Sequence, residues 1–284
     1  MRTSRQDSDL TVKQRSLEDI LRTAGKVAVA FSGGVDSTFL LAVACKTLGK
    51  DSVLAVTATG PVYTRREHSF AETFAQGLGV THLFLPTWDL STDGPYINQP
   101  DRCFKCKSEL FGKLVELARQ HGFAVVADGT NASDLGDYRP GLRALKQLSI
   151  RSPLMEAGLT KDDIRALSRE MGLPTWDRPA MACLGSRFPY GAAITERALR
   201  QVEYAEECLS DMGFRHIRVR HHGDMARIEV PSEDIPQVAS KAEQIVATLK
   251  GLGYKYVALD LQGYRTGSMN ETLSAKEKGL RTPA

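Results

Sequence analysis

Residues 26–38 read KVAVAFSGGVDST, and their pattern predicts a strand, a loop and a helix in succession. An apolar run with alternating valines, bounded by a pair of glycines, predicts a buried strand. A helical pattern of apolar residues begins at Thr38 and continues to Leu48. The segment from Ser32 to Ser37 is therefore predicted to be a loop that joins a strand to a helix.

This loop has the composition of a phosphate-binding site. Gly33 and Gly34 allow the backbone to approach a ligand closely, and the amides at the start of the next helix favour an anion. Ser32 and Ser37 supply hydroxyls, and Asp36 supplies the kind of oxygen ligand that Mg²⁺ prefers. The loop lacks the Gly-Lys-Ser/Thr ending of a Walker A loop. Its sequence, Ser-Gly-Gly-Val-Asp-Ser, instead resembles the PP-loop of ATP pyrophosphatases, which implies cleavage of ATP to AMP and pyrophosphate.

The bulk properties of the chain argue against several classes of protein. Its 284 residues carry a formal net charge of +3, and this small excess does not favour a nucleic-acid or membrane partner. No run of about 18 apolar residues could span a membrane, and the first residues lack the apolar core of a secretory signal. We therefore expect a soluble, cytoplasmic protein whose five cysteines are not a disulfide framework.

Strands and helices alternate through the first part of the sequence. Apolar runs predict further strands at residues 52–58, 81–85 and 123–128. Helical periodicity covers residues 9–24, 67–78 and 160–171. This alternation predicts an α/β fold with a parallel, doubly wound sheet.

Ligand-binding groups are expected where these strands end, because open α/β sheets bind ligands at the carboxyl ends of their strands. Ala58 ends the second strand and leaves room for adenine, although a simple turn explains it equally well. Asp128 ends the fourth strand and suits a metal or ribose contact, and Arg139 adds a cation shortly afterwards. A plain polar turn is the alternative for this second segment.

A segment punctuated by proline, residues 174–191, is not periodic and is predicted to be a hinge. After it the pattern changes to helix, two strands, helix and strand, which predicts a smaller α+β domain with antiparallel strands. The predicted elements lie at residues 196–212, 215–220, 226–230, 233–249 and 254–261. The chain is thus predicted to hold a PP-loop domain, residues 1–178, and a second domain, residues 179–284.

Cys183 is the most suggestive single residue, because it lies in this restricted segment with Arg178 and Arg187 nearby in sequence. Positive neighbours favour the thiolate, which is the nucleophilic form of cysteine. Taken alone, a cysteine between alanine and leucine is more often a buried packing residue. Cys45 and Cys208 lie within helical patterns and are predicted to be packing residues of that kind.

Cys103 and Cys106 form a Cys-x-x-Cys pair. Such a pair is compatible with a redox site, half of a zinc site, two ligands of an iron–sulfur cluster, or two surface thiols at a helix start. With Cys183 the chain has three candidate ligand cysteines. Three ligands suit a [4Fe–4S] cluster with one open iron better than a closed Cys₄ zinc site.

Arg218 and Arg220 alternate along a predicted strand, so they share one of its faces. A pair of guanidinium groups on one face suits the binding of a phosphate. A solvated strand face is the alternative interpretation.

Four stretches together resemble one family, and these are residues 32–37, 102–107, 179–191 and 263–270. The resemblance is to the LarE family, the ATP-dependent sulfur transferases that make the nickel-pincer nucleotide cofactor of lactate racemase. It implies the substrate pyridinium-3,5-biscarboxylic acid mononucleotide. ATP and Mg²⁺ would adenylate a substrate carboxylate, a sulfur nucleophile would displace AMP, and two rounds would give the dithio product. The family also implies a homo-oligomer.

The resemblance also implies roles for individual residues. The loop residues Ser32, Gly33, Gly34 and Ser37 would hold the ATP phosphates, and Asp36 would hold Mg²⁺. Lys107 would steady the acyl-adenylate. The phosphate of the mononucleotide would be held by Ser186, Arg187, Arg218 and Arg220.

The family supplies sulfur in two ways, and the cysteines favour one of them. In the first, the cysteine at the position of Cys183 gives up its own sulfur and becomes dehydroalanine. In the second, three cysteines hold a [4Fe–4S] cluster whose free iron carries an extra sulfide. Because Cys103 and Cys106 accompany Cys183, we favour the cluster route, with sulfide or another sulfur donor as partner.

Three other functions remain as alternatives. A tRNA-thiolating PP-loop enzyme would carry an RNA-binding extension and a marked basic excess, which the near-balanced charge does not favour. A PP-loop amide synthetase would leave Cys183 and the Cys-x-x-Cys pair without a role. A non-enzymatic nucleotide-binding regulator would not turn over ATP.

Overall fold

The computed structural model describes residues 4–87, 96–136, 141–179, 182–265 and 267–272. The predicted site residue Arg139 lies outside them. The chain divides into two compact units, the first with residues 1–87 and 103–181 and the second with residues 88–102 and 182–284. The short segment 88–102 is thus grouped with the C-terminal part. A domain boundary between residues 178 and 179 stays a prediction.

The described residues contain both helices and strands in each unit. The helices are α1 (Ser4–Ala24), α2 (Val35–Leu48), α3 (Arg65–Leu78), α4 (Arg102–Gln120), α5 (Gly141–Gln147), α6 (Pro153–Glu156), α7 (Lys161–Glu170), α8 (Glu196–Asp211), α9 (Ile235–Ser240) and α10 (Ala242–Gly251). The strands are β1 (Val27–Ala30), β2 (Val53–Thr59), β3 (Thr81–Pro86), β4 (Tyr96–Ile97), β5 (Val125–Ala127), β6 (Ala193–Ile194), β7 (Arg218–His222), β8 (Met225–Glu229) and β9 (Tyr256–Leu259).

The first unit is built on a four-stranded parallel sheet in the order β3-β2-β1-β5. Successive side chains of a strand point to opposite faces. Val27 and Val29 of β1 accordingly join one hydrophobic cluster, with residues of α1, α2 and α7. Ala28 joins another, with residues of α4 and α5. Helices therefore cover both faces of the sheet, and the predicted α/β, doubly wound fold is confirmed.

The first unit follows the sequence pattern closely. The strands predicted at residues 52–58 and 81–85 are β2 and β3, whereas the strand predicted at 123–128 is shortened to β5. Helix α4, which carries the Cys-x-x-Cys pair near its start, follows β4 and precedes β5 in the chain. None of the described helices is both long enough and apolar enough to cross a membrane.

The second unit contains a three-stranded sheet in the order β7-β8-β9 and a short β4–β6 pair. Strands β7 and β8 are antiparallel, but β8 and β9 are parallel, so the expectation of antiparallel strands throughout was wrong. The cause is the connection between β8 and β9, because a helical crossover returns the chain to the end of the sheet where β8 began. That crossover is two helices, α9 and α10, rather than the single helix predicted at residues 233–249.

The start of α7 is fixed by reciprocal hydrogen bonds. The Thr160 hydroxyl accepts from the Asp163 N–H at 3.2 Å, and the Asp163 carboxylate accepts from the Thr160 N–H at 3.1 Å. The same carboxylate accepts from Lys13 Nζ of α1 at 3.0 Å. This helix start is therefore tied both to its own first turn and to α1.

We expect Thr160→Ala to lower the free energy of unfolding by about 1 kcal/mol, since the alanine side chain cannot accept from the Asp163 N–H. Urea denaturation followed by circular dichroism measures this change. Thr160→Ser keeps an acceptor and is the matched control, with stability close to that of the unsubstituted chain. Equal stability of the alanine and serine variants would contradict this role of the cap.

Candidate functional site

The loop after β1 presents the start of α2. Gly34 is the N-cap residue, its backbone is extended (φ −74°, ψ 168°), and among the described residues no side chain caps this helix. A helix N-terminus carries unsatisfied amides and a partial positive charge, both of which favour an anion. The geometry of the loop therefore suits a phosphate group.

Two glycines allow the chain to pack tightly around this loop. Gly33 has φ +74°, and a Cβ atom there would lie 3.0 Å from Cδ1 of Phe70. A Cβ atom on Gly129, after β5, would lie 3.0 Å from the backbone nitrogen of Ser37. A side chain at either position would displace the loop or its neighbours.

Ser32 and Ser37 are joined across the loop. Their hydroxyl oxygens lie 3.1 Å apart, and the Ser37 hydroxyl also donates to the Gly34 carbonyl at 3.3 Å. Ser37 is buried, whereas Ser32 is exposed. Ser37 thus holds the loop in shape, and Ser32 is the hydroxyl that a ligand can reach.

Asp36 is held by two residues that sequence analysis missed. Lys161 Nζ donates to one carboxylate oxygen at 2.6 Å, and Asn131 Nδ2 donates to the other at 3.3 Å. Lys161 is the first residue of α7. The capping box formed by Thr160 and Asp163 was the signal in the sequence that a helix begins there. A half-buried carboxylate at the start of α2 is a fitting Mg²⁺ ligand by its chemistry.

The predicted groups at the strand ends have protein partners. Both carboxylate oxygens of Asp128 accept hydrogen bonds, one from Ser152 Oγ at 2.6 Å and one from Thr130 Oγ1. The carbonyl of Ala58 lies 3.2 Å from Nε2 of His68. Asp128 is buried, so in this structure it ties the end of β5 to its neighbours. A ribose or metal role for Asp128 and an adenine role for Ala58 stay predictions.

Arg178 contacts the backbone of the phosphate loop. Its Nη1 donates to the Gly33 carbonyl at 2.8 Å, and its guanidinium lies 4.0 Å from the centre of the Phe70 ring. Burial lowers the pKa of Arg178, and the nearby Glu67 carboxylate opposes that shift. The sequence associated Arg178 with Cys183, whereas the structure places it at the phosphate loop.

In the second unit, Cys183 precedes a short 3-10 helix, Leu184–Arg187, and contacts a buried guanidinium. Arg102 Nη1 donates to Cys183 Sγ at 3.3 Å, and Arg102 Nε donates to Asn98 Oδ1 at 2.7 Å. A Cβ atom on Gly185 would lie 2.7 Å from Arg102 Nη1, so a side chain there would displace the guanidinium. Arg102 was not among the predicted site residues.

A cavity of about 470 Å³ lies in the second unit and is rich in cationic side chains. Its lining includes Arg187, Arg220, His222, Arg227, Arg265 and Ser268. Four buried nitrogens of this lining have no hydrogen-bond partner in the described part of the chain, and they are Arg220 Nε, His222 Nε2, Arg227 Nε and Arg265 Nη1. Buried donors of this kind normally have partners, so the cavity is suited to an anion.

Of the four predicted phosphate ligands, Arg187 and Arg220 line this cavity. Arg220 donates to Glu229 at 2.7 Å, to the Ser186 carbonyl at 2.8 Å and to Ser268 Oγ at 3.2 Å. Arg218 lies outside the lining, and its guanidinium is 5.2 Å from the centre of the Tyr264 ring. His222, which belongs to the basic patch that the sequence shows around Arg218 and Arg220, also lines the cavity, whereas Arg227 and Arg265 were not among the predicted phosphate ligands.

Arg187 forms a bidentate pair with a largely buried carboxylate. Its Nε and Nη2 lie 2.9 Å and 2.8 Å from the two oxygens of Glu206. Burial acts to raise the pKa of Glu206, but the Arg187 and Arg218 cations and the Val219 N–H outweigh it and lower that pKa. Burial lowers the pKa of Arg218, and the Arg187 charge acts in the same direction. Glu206 is therefore ionised, and its charge balances those of Arg187 and Arg218.

The remaining cysteines are divided between the units. Cys103 and Cys106 lie one helical turn apart on α4 in the first unit, with the half-buried Lys107 beside them, whereas Cys183 belongs to the second unit. None of the chain's five cysteines forms a disulfide. Within the described residues no three His, Cys, Asp or Glu side chains form a group that could hold a metal ion. Burial raises the pKa of Cys45 to about 11, as expected of a packing residue.

Known proteins are similar to the region of the phosphate loop and to nearly the whole chain. A family model described as NAD synthase matches residues 11–91, which include the phosphate loop. Pyridinium-3,5-bisthiocarboxylic acid mononucleotide synthase of Lactiplantibacillus plantarum is 40% identical over 265 residues, which are 93% of this chain and 96% of that protein.

Two uncharacterised proteins are similar over comparable lengths. One, from Synechocystis sp., is 40% identical over 93% of this chain and 99% of its own. The other, from Methanocaldococcus jannaschii, is 30% identical over 85% of this chain and 91% of its own. The identity to the synthase extends over nearly all of both chains, and on that ground this protein belongs to the LarE family, the family of pyridinium-3,5-bisthiocarboxylic acid mononucleotide synthase.

Proposed function

We propose that the chain is an ATP-dependent sulfur transferase of nickel-pincer cofactor synthesis. Its substrate would be pyridinium-3,5-biscarboxylic acid mononucleotide, whose two carboxylates become thiocarboxylates. The observation that carries the proposal is the 40% identity, over 93% of this chain, to the synthase named for the bisthiocarboxylic acid product. A role in supplying lactate racemase and a homo-oligomeric state are part of the same proposal.

The first unit would bind ATP and activate the substrate. The start of α2 offers backbone amides to the phosphates, and Ser32 offers an accessible hydroxyl. Asp36 would hold Mg²⁺, which neutralises phosphate charge when it is bound. Attack of a substrate carboxylate on the α-phosphate would give an acyl-adenylate and release pyrophosphate, and Lys107 is the candidate to steady that adenylate.

The second unit would hold the mononucleotide by its phosphate. Arg187 and Arg220 line a cavity whose buried nitrogens include four without a hydrogen-bond partner in the described residues, although one of them, Arg227 Nε, lies 3.7 Å from the Asp260 carboxylate. A phosphate dianion placed among them would accept charge-assisted hydrogen bonds from several guanidiniums. Ser186 and Arg218 stay predicted phosphate ligands.

Sulfur would reach the activated carboxylate through the cysteines. Cys103, Cys106 and Cys183 would be the three ligands of a [4Fe–4S] cluster, and their thiols suit it by their chemistry. The cluster would supply the sulfur atom, which displaces AMP from the substrate. The alternative is that Cys183 donates its own sulfur, and the hydrogen bond from Arg102 is compatible with either route.

We expect Gly33→Ala to weaken ATP binding by about tenfold or more, since the left-handed conformation costs a side-chain-bearing residue about 1–2 kcal/mol. The KM for ATP measures the effect, and it is taken from the rate of pyrophosphate release at varied ATP, with Mg²⁺ and the mononucleotide present. Gly77→Ala is the control, because a Cβ atom there meets nothing within 4 Å. Absence of pyrophosphate release by the unsubstituted protein would overturn the proposed function.

We expect Arg220→Gln to raise the KM for the mononucleotide by about 10- to 100-fold, since a hydrogen bond to a charged group contributes about 1.5–3 kcal/mol. The KM for ATP should not change. Lys255→Gln removes a cation of an exposed ion pair in the same unit and should change neither constant. An unaltered KM for the mononucleotide in the Arg220 variant would show that the phosphate binds elsewhere.

We expect protein purified without oxygen to contain about four irons and four acid-labile sulfides, with broad visible absorption. The absorption should vanish in Cys183→Ala and in Cys103→Ala, and persist in Cys208→Ala, which changes a cysteine of α8. If no iron binds after reconstitution and Cys183 becomes dehydroalanine on turnover, the sacrificial route is correct instead.

A further inference from the structure

The carboxylate of Asp36 is already paired with a cation from a distant part of the chain. Lys161 Nζ lies 2.6 Å from Asp36 Oδ2, and both side chains are about one quarter exposed. Among the described residues, the hydrogen bond of the other oxygen is a longer one, 3.3 Å, from the neutral amide of Asn131. The Lys161 ammonium and a metal ion bound to Oδ2 would therefore be two cations competing for the same carboxylate oxygen.

The backbone of Lys161 has contacts of its own, which do not depend on its ammonium group. The Lys161 N–H donates to Ser133 Oγ at 3.1 Å, and the preceding Thr160 forms the capping box of α7. The Ala132 N–H donates to the Leu159 carbonyl at 2.8 Å, which joins the same two segments. A lysine side chain has four methylene groups, so its charged end can move while the Cα atom stays in place.

We infer that Lys161 is an exchangeable counter-ion of the phosphate loop. In the absence of ligand its ammonium neutralises Asp36, and when Mg²⁺ binds that carboxylate the ammonium moves to a phosphate oxygen of the nucleotide. This inference rests on the proposed function, because it takes the bound nucleotide to be ATP with Mg²⁺.

The exchange keeps charges paired in both states. Without Lys161, the ligand-free protein would hold Asp36 as a half-buried carboxylate with one neutral partner, at a site where opposite charge is favoured. With the metal in place, a lysine left on Asp36 would face a like charge at close range. The phosphates at the start of α2 are then the anions within reach of its side chain.

Removal of the lysine charge should change the binding of metal and of nucleotide in opposite directions. In Lys161→Met, Mn²⁺ alone no longer competes with the ammonium for Asp36, and we expect it to bind the nucleotide-free protein about tenfold more tightly. The α,β-methylene analogue of ATP, with Mg²⁺, should bind about tenfold more weakly, since a charge-assisted hydrogen bond is lost. Lys161→Arg keeps the charge, so its affinity for the analogue should be close to that of the unsubstituted protein.

Electron paramagnetic resonance of Mn²⁺ and calorimetry of analogue binding measure these two constants. Lys13→Met is the matched control, because Lys13 also forms a 3.0 Å pair with a carboxylate of the α7 start and is similarly exposed, but it does not contact Asp36. We expect it to change neither constant.

Two results would overturn the inference. If Lys161→Met weakens both metal and analogue binding, or matches Lys13→Met, the lysine is only a structural partner, while analogue binding by the unsubstituted protein keeps the proposed function intact. If the unsubstituted protein does not bind the analogue at all, the inference and the proposed function fail together.

Discussion

The first unit depends on the close approach of the chain after β5 to the first turn of α2. A Cβ atom on Gly129 would lie 3.3 Å from the Asp36 Cβ, and even closer to the Ser37 nitrogen. Because the backbone comes this near, Asn131 reaches Asp36 and the following loop meets the start of α7. One contact between neighbouring strand ends thereby brings together residues from three separate segments, and it requires parallel strands that end at the same edge of the sheet.

The second unit is organised by buried carboxylates that accept hydrogen bonds from several arginines but leave some of the guanidinium nitrogens without a hydrogen bond in the described residues. Glu229 is 1% exposed and accepts from Arg220 at 2.7 Å and from Arg227 at 3.0 Å. Glu206 accepts from Nε and Nη2 of the Arg187 guanidinium. Burying charged groups costs free energy unless each is paired and hydrogen-bonded. Guanidinium nitrogens that have no hydrogen-bond partner in the described residues therefore make the binding of an anion favourable.

The sequence was most informative where structure is set by neighbouring residues. The apolar run, the paired glycines and the helix after them are local features, and they predicted β1 and α2, although α2 begins at Val35, inside the predicted loop. Lys161 and Asn131 could not be paired with Asp36 in this way, because they lie 125 and 95 residues away. Arg227 was missed for a related reason, since a single strand pattern does not specify which strand lies beside it. Arg265 follows β9 in an irregular segment, whose path in the fold no periodic pattern specifies.

The parallel pairing of β8 with β9 shows the same limit at the level of topology. Alternation of apolar residues indicates a strand but carries no information about the direction of its partner. The break between α9 and α10 falls at Lys241, and neither glycine nor proline marks that position. The direction of β9 is decided by the length and helical structure of the connection, which is a property of the folded chain.

One side chain connects the cationic cavity to the proposed sulfur site. Arg187 lines the cavity, and its Nη1 donates to the Ala182 carbonyl at 2.6 Å and to the Cys183 carbonyl at 3.2 Å. The remaining guanidinium nitrogens are held by Glu206, so this side chain has little freedom to turn. An anion bound beside Arg187 would therefore sit at a fixed distance from the backbone of Cys183. In a reaction that joins a sulfur atom to a phosphate-bearing substrate, such rigidity lowers the entropic cost of bringing the two together.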